Sequence, residues 1–210
     1  MTDINLPLIM GAALVAMASP GPATIAIAST SMTNGRRYGL ALASGVTSGS
    51  LFWSLAAALG MSGVMATNAW LFEILRYCGA AYLLYLAIKS ARSALGSGKE
   101  APAIDTPRRL TLRKTYFKGL AIHLSNPKAI LFIGSIYALG LPRDASVADL
   151  ATVVLALGLQ SAAICHLYAM LFASTPIVAG YRKMRRALDG LFAMLFGLAS
   201  IKILTASINQ

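Results

Sequence analysis

Charged residues are scarce in this chain, and acidic residues are the scarcest. Of 210 residues, 12% are charged and only 7 are Asp or Glu, whereas 57% are hydrophobic. An ordinary soluble domain has an apolar share of about 45–50%, so this composition argues against one. The hydrophobic residues form six runs, each long enough for the roughly 20 residues that a helix needs to cross a bilayer. The sequence predicts an all-α integral membrane protein with six transmembrane helices in a lipid bilayer.

Cysteine is nearly absent as well. Cys78 and Cys165 stand far apart within apolar runs and lack Cys-x-x-Cys spacing. We interpret them as buried, unreactive thiols, and we expect neither a metal nor a cofactor.

The six runs divide the chain into two halves of a single membrane domain. Half one covers about 1–95, half two about 116–210, and a polar segment, about 96–115, separates them. The predicted spans are about Leu6–Met32, Tyr38–Met65, Trp70–Ala94, Tyr116–Leu141, Val147–Val178 and Ala187–Ala206.

Basic residues set the predicted orientation. Most of the 18 Lys and Arg residues lie in the turn after the first run, the central segment with its flanks, and the turn after the fifth run. These are Arg36, Arg37, Lys89, Arg92, Lys99, Arg108, Arg109, Arg113, Lys114, Lys118, Arg182, Lys183, Arg185 and Arg186. The positive-inside rule places the central segment in the cytoplasm and both termini outside. A basic excess confined to loops also explains the net charge of +11, so we expect no nucleic-acid partner.

This orientation predicts a symmetry between the halves. The first and fourth runs enter the membrane from opposite sides, so the two three-helix halves should be inverted repeats, as in many secondary transporters.

Prolines interrupt the first helix of each half, at Pro20 and Pro22 and again at Pro127. Proline lacks an amide hydrogen and its ring collides with the carbonyl four residues back, so each helix should break there. Inside a bilayer, unpaired backbone groups are tolerated only against protein or a polar cavity. Breaks at matching positions in two halves therefore predict a binding site near mid-membrane.

The chemistry of the predicted site follows from the broken helix ends. The positive ends of two half-helices should attract a carboxylate, and freed carbonyls should accept hydrogen bonds from an ammonium group. The amides expected to be free include those of Ala23, Thr24 and Ala129. The carbonyls expected to be free are those of Ala16, Ala18 and His123. This combination suits a zwitterionic amino acid. The predicted substrate-binding residues are Ser19, Pro20, Gly21, Pro22, Thr24, Asn126, Pro127 and Lys128.

Lys128 lies about ten residues into the fourth run, roughly 15 Å of helix rise from the membrane surface. A lysine at mid-bilayer costs at least about 2.5–3.5 kcal/mol and usually faces a cavity or a partner. One interpretation makes Lys128 part of the substrate site. The other makes it a structural cap on unpaired carbonyls across the break.

Ala41, Gly45 and Gly49 form a stripe of small residues at four-residue spacing. Such stripes let helices approach closely, so we predict packing on a neighbour in the same or another subunit.

Three polar side chains inside the predicted spans are candidates for a proton relay: His123, His166 and Gln160. A neutral, hydrogen-bonded imidazole is the alternative for either histidine. The sequence places no acidic residue deep in any predicted span, so it offers no carboxylate for such a relay.

Four segments together resemble the LysE/RhtB family of amino-acid exporters. They are Ser19-Pro20-Gly21-Pro22, Gly35-Arg36-Arg37, Gly79–Leu86 and Asn126-Pro127-Lys128-Ala129. The resemblance implies an exporter rather than an enzyme, in the bacterial inner membrane, driven by the proton gradient and forming a homo-oligomer. The family often carries an aspartate after the span-two glycine, where this chain has Gly49-Ser50. The departure implies a neutral rather than a cationic amino acid as substrate.

Two other classes of function compete with export. One is a membrane thiol-redox electron carrier, since similar six-helix proteins place cysteines beside helix-breaking prolines. Cys78 and Cys165 do not stand beside those prolines. The other is a non-transporting membrane scaffold, which does not account for a buried lysine.

Overall fold

The computed structural model describes residues 4–19, 21–67, 69–96, 111–141 and 145–206. Within these ranges the chain forms eight α-helices and no strand, which confirms the all-α prediction. The helices are α1 (Leu6–Ala18), α2 (Pro22–Asn34), α3 (Arg36–Thr67), α4 (Ala69–Leu95), α5 (Leu112–Leu124), α6 (Pro127–Gly140), α7 (Val147–Leu171) and α8 (Thr175–Ala206).

The first and fourth predicted spans are each broken into two helices. The pair α1 and α2 bends by 52° between Ser19 and Pro22. The pair α5 and α6 is interrupted at Ser125 and Asn126, and α6 begins at Pro127. Each new helix starts with proline, whose missing amide costs no helical hydrogen bond at that position. The predicted breaks are confirmed.

The predicted end of the fifth span is wrong. Helix α7 ends at Leu171 and α8 begins at Thr175, so the expected boundary at Val178 lies inside α8. Pro176 falls in the first turn of α8, where a proline is tolerated because the first helical amides lack intrahelical partners. Lys and Arg are good helix formers, so the basic segment expected to be a turn continues α8 instead. That segment contains Arg182, Lys183, Arg185 and Arg186.

Among the described residues, two helical segments are long and apolar enough to cross a membrane: Arg36–Gly60 of α3 and Val147–Leu171 of α7. The bent pair α1 and α2 adds a third if it forms one span. Large apolar side chains on these helices face outward, with Leu59 74% exposed and Leu159 72% exposed. Six spans arranged as inverted repeats stay a prediction.

Small residues bring α3 and α5 into close contact. A Cβ atom at Gly45 would overlap the carbonyl oxygen of Tyr116, and one at Gly119 would meet the α3 backbone in the same way. Gly49 lies one turn further along the same face, and the half-buried Ala41 precedes both. The contact of this stripe therefore lies within one chain, between its two halves.

A buried core holds α6 in place against its neighbours. Ile9 of α1, Tyr137 of α6 and Leu157 of α7 belong to one cluster of buried side chains. The Tyr137 hydroxyl also hydrogen-bonds to the Ser54 hydroxyl of α3 at 2.7 Å. These contacts fix the position of α6 relative to α1, α3 and α7.

Candidate functional site

The two helix breaks lie against each other. Lys128, in the first turn of α6, donates from Nζ to the Ser19 carbonyl oxygen at 3.0 Å and also to the Ser19 hydroxyl. Its side chain passes Gly21, where a Cβ atom would lie 3.2 Å from Lys128 Cδ. Ser19 is buried at 3% exposure and ends α1. One lysine therefore joins the end of α1 to the start of α6.

The carbonyls expected to be free at the breaks are already hydrogen-bonded, and this expectation is wrong. The Ala16 carbonyl accepts from the Ser19 hydroxyl at 3.1 Å, and the Ala18 carbonyl accepts from the Tyr168 hydroxyl at 2.8 Å. The His123 carbonyl accepts from the backbone amide of Asn126, in the second break, at 3.1 Å. Buried carbonyls require partners, and here the protein supplies them.

The start of α6 is also fully capped, so the expectation of a free amide on Ala129 is wrong. The Asn126 side-chain oxygen accepts from the Lys128 amide at 3.1 Å. The Ala129 amide donates to the Asn126 carbonyl at 2.9 Å. Asn126 is a favourable N-cap residue and leaves little of this helix end open.

The start of α2 differs because its cap residue, Gly21, has no side chain. Thr24 Oγ1 accepts from the Gly21 amide at 3.2 Å and also contacts the Ser19 carbonyl at 3.4 Å. No side chain is seen to cap the first amides of α2 in the described part of the chain. The free amides expected on Ala23 and Thr24 stay a prediction.

A cavity of about 70 Å³ lies beside the meeting point of the breaks. Its size exceeds the roughly 10–15 Å³ that a single water needs. Residues from α1, α2, α3, α5, α6 and α7 line it. The polar ones are Thr24, Ser50, His123, Asn126, Lys128 and Ser161. Its lining contains no acidic side chain among the described residues, and Lys128 is the charged residue that it does contain.

The predicted substrate-binding residues occupy different positions around this cavity. Four of them line the cavity directly: Gly21, Thr24, Asn126 and Lys128. Ser19 lies behind Lys128 as its hydrogen-bond partner. Pro22 is exposed, and Pro127 contributes the first residue of α6. Pro20 lies outside the described residues.

The three relay candidates do not share one location. His166 bonds through Nε2 to Ser44 Oγ at 3.0 Å and through Nδ1 to the Ala162 carbonyl at 2.8 Å. Gln160 donates to the Met10 carbonyl at 2.9 Å. Neither of these lines the cavity, whereas His123 does.

Two serines in the cavity wall extend what sequence reasoning found. Ser50 and Ser161 are each 2% exposed, on α3 and α7. The sequence marks Ser50 only as a departure from the family pattern, and it does not mark Ser161 at all. A single serine in a membrane helix has no distinctive pattern, so only the folded helices identify Ser161 as part of the lining.

The thiol-redox alternative gains little from the structure. Cys165 is a free, buried thiol in the cavity lining, and its sulfur lies 3.9 Å from Ser161 Oγ. The side chain of Cys78 lies outside the described residues. Among the described residues, no three His, Cys, Asp or Glu side chains cluster as a metal site requires.

A comparison with protein families gives the assignment. The model of the LysE type translocator family matches residues 14–207, which include both helix breaks and the cavity. The chain belongs to the LysE type translocator family. The resemblance read from the four short segments is therefore confirmed.

Several relatives of this LysE-family chain are named for amino-acid efflux. It is 28% identical to the threonine efflux protein of Escherichia coli K12, over 87% of this chain and 89% of the relative. It is 30% identical to the leucine efflux protein of Klebsiella pneumoniae, over 93% of this chain and 90% of the relative. The threonine efflux protein of Salmonella typhi is also 28% identical, with coverage of 87% and 89%. No solved structure matches the chain significantly.

Proposed function

We propose that this protein is a secondary transporter that exports a small neutral amino acid, with the substrate bound in the cavity between the two helix breaks. The observation that carries the proposal is the position of Lys128, which joins the breaks and lines the cavity. Its membership of a translocator family and the efflux names of its relatives support the same class of function.

The substrate carboxylate is held by Lys128 and the start of α2. An ammonium group has three donors, and Ser19 takes two of them, so one is left for a ligand. The start of α2, with the amides of Ala23 and Thr24, adds the positive end of a helix, which favours an anion. Within this site, the structural role of Lys128 as a cap and its role in binding are compatible.

The rest of the cavity favours an uncharged substrate side chain. Its apolar lining includes Ile27, Val46, Phe132 and Ile133. A cationic side chain entering it would meet Lys128 and no carboxylate from the described residues. Burying such an unpaired charge is costly, so a neutral amino acid fits better.

The membrane arrangement is part of the proposal. The outward-facing leucines of α3 and α7 suit contact with lipid, because monomeric soluble proteins rarely expose large apolar patches. We place six spans in the bacterial inner membrane as two inverted halves, with both termini outside and the central basic segment in the cytoplasm. The halves then rock to open the cavity to each side in turn, using the proton gradient. Assembly into a homo-oligomer stays a prediction from the family.

Uptake of radiolabelled amino acids into everted inner-membrane vesicles tests this proposal. The panel is threonine, leucine, lysine and glutamate, each with a proton gradient and after its collapse. We expect gradient-dependent uptake of threonine or leucine to exceed that of lysine by about tenfold or more, which corresponds to about 1.4 kcal/mol.

Vesicles without the protein provide the background for this measurement. Uptake no higher than this background for the whole panel would contradict export of amino acids. Preferred uptake of lysine would contradict the neutral substrate alone.

A further inference from the structure

His123 is a buried imidazole without a partner among the described residues. Neither ring nitrogen has a hydrogen-bond partner, and both are shielded from solvent. Most buried polar groups in folded proteins are hydrogen-bonded, so an orphaned imidazole needs an explanation. The side chain lies on the last turn of α5, directly before the second break, and lines the cavity with Lys128.

The second histidine of the chain makes the contrast clear. His166 has a partner on each ring nitrogen, Ser44 and Ala162, and lies away from the cavity. Both ring nitrogens of His166 are therefore already occupied by hydrogen bonds within the protein. Of the two histidines, His123 is the one that keeps both nitrogens available to a ligand or a proton.

The surroundings of His123 contain few groups that could replace it. Helix α5 packs against α2, α3 and α6. Helix α2 has no titratable side chain, and α3 has them only in its first turn, at Arg36, Arg37 and Tyr38. Helix α6 contributes Lys128 and Tyr137, and α7 contributes Cys165 to the same cavity.

We infer that His123 is the proton-carrying residue of this transporter, and that its protonation and the binding of the substrate ammonium group exclude each other. This inference rests on the proposed function. A neutral imidazole nitrogen accepts a hydrogen bond from the ammonium group, whose carboxylate is held by Lys128. An imidazolium repels that ammonium group and cannot accept from it.

The proton step needs only water as co-reactant. A hydronium ion on the outer side transfers its proton to a ring nitrogen of His123, forming an N–H bond and leaving water. The substrate, no longer held, leaves to the outside. On the inner side the N–H bond breaks, water takes the proton, and the neutral imidazole binds the next substrate.

Gly49 positions this imidazole. A Cβ atom at Gly49 would lie 2.9 Å from His123 Cβ and 3.2 Å from its Cδ2. Since the approach is this close, Gly49→Ala should displace the ring without removing it. A Cβ atom at Gly60, on the same helix, would meet nothing within 4 Å, so Gly60→Ala is the matched control.

The test compares two transport modes in proteoliposomes, with radiolabelled threonine or leucine, whichever the wild-type protein carries. For the wild-type protein we expect an apparent affinity about twofold or more lower at about pH 4 than at about pH 8, because protonation of His123 and binding of the substrate weaken each other by the same factor. His123→Gln should abolish this pH dependence and gradient-driven accumulation. Exchange of internal for external amino acid should persist, with a weaker apparent affinity, because the glutamine side-chain oxygen can still accept from the ammonium group.

Control variants separate proton carriage from a structural role. His166→Gln and Gly60→Ala should keep both transport modes and the pH dependence, and Gly49→Ala should weaken the coupling. His123→Asn serves as a second variant if the glutamine protein does not fold.

Two results would overturn the inference. One is a His123→Gln protein that keeps its pH dependence and accumulation. The other is a folded variant that loses exchange together with accumulation, since the ring would then serve binding alone. A wild-type protein that carries neither amino acid would instead contradict the proposed function itself.

Discussion

Lys128→Ala is expected to lower transport of the preferred amino acid by about 10- to 100-fold, since a hydrogen bond to a charged group contributes about 1.5–3 kcal/mol. The variant removes the positive charge of the cavity and one of the two donors to the Ser19 carbonyl. The measurement is initial uptake into everted vesicles over a range of substrate concentrations. We expect the loss to appear mainly as weaker apparent affinity, because the missing group binds the carboxylate.

Three further variants make this prediction specific to the charge. Lys128→Met keeps the apolar stem and removes the ammonium group, so it should lose transport like the alanine variant while disturbing packing less. Lys128→Arg keeps the charge but has a different shape, so its transport should fall between that of the wild-type protein and that of the alanine variant. Lys114→Ala removes an exposed lysine and should have no effect. Wild-type transport by folded Lys128→Met would leave Lys128 as a structural cap only.

Gly45→Leu is expected to prevent stable folding. A Cβ atom at Gly45 already overlaps the Tyr116 carbonyl oxygen and would lie 2.8 Å from the Leu120 amide nitrogen. These are backbone atoms, so they cannot rotate away, and α3 and α5 must separate. Overpacking typically costs about 1–3 kcal/mol and sometimes more, and this site belongs at the upper end. We expect little monodisperse protein in detergent, with a clearly lower unfolding temperature for what remains.

Gly60→Leu is the control on the same helix. Gly60 is exposed and a Cβ atom there meets nothing within 4 Å, so this variant should purify and melt like the wild-type protein. Equal stability of both leucine variants would mean that α3 and α5 do not pack closely at Gly45.

The sequence by itself determined the local features of this protein. Its composition indicated an all-helical membrane chain, and Pro22 and Pro127 located the two breaks, because proline acts through its own ring and its missing amide. Four short segments were enough to indicate the family, which the match over residues 14–207 confirms. Lys128 stood out for the same local reason, as a charge inside an apolar run.

Only the tertiary structure decided which groups became partners. Ser19 and Lys128 are 109 positions apart, and Tyr168 reaches the Ala18 carbonyl from 150 positions away. The second contact satisfied the Ala18 carbonyl, which the proline rule had left free, and no local pattern contains either contact. The same applies to the two histidines, since one found two partners and the other found none among the described residues. Local sterics determine where a membrane helix breaks, whereas the helices packed around the break determine which of its polar groups stay available for a substrate.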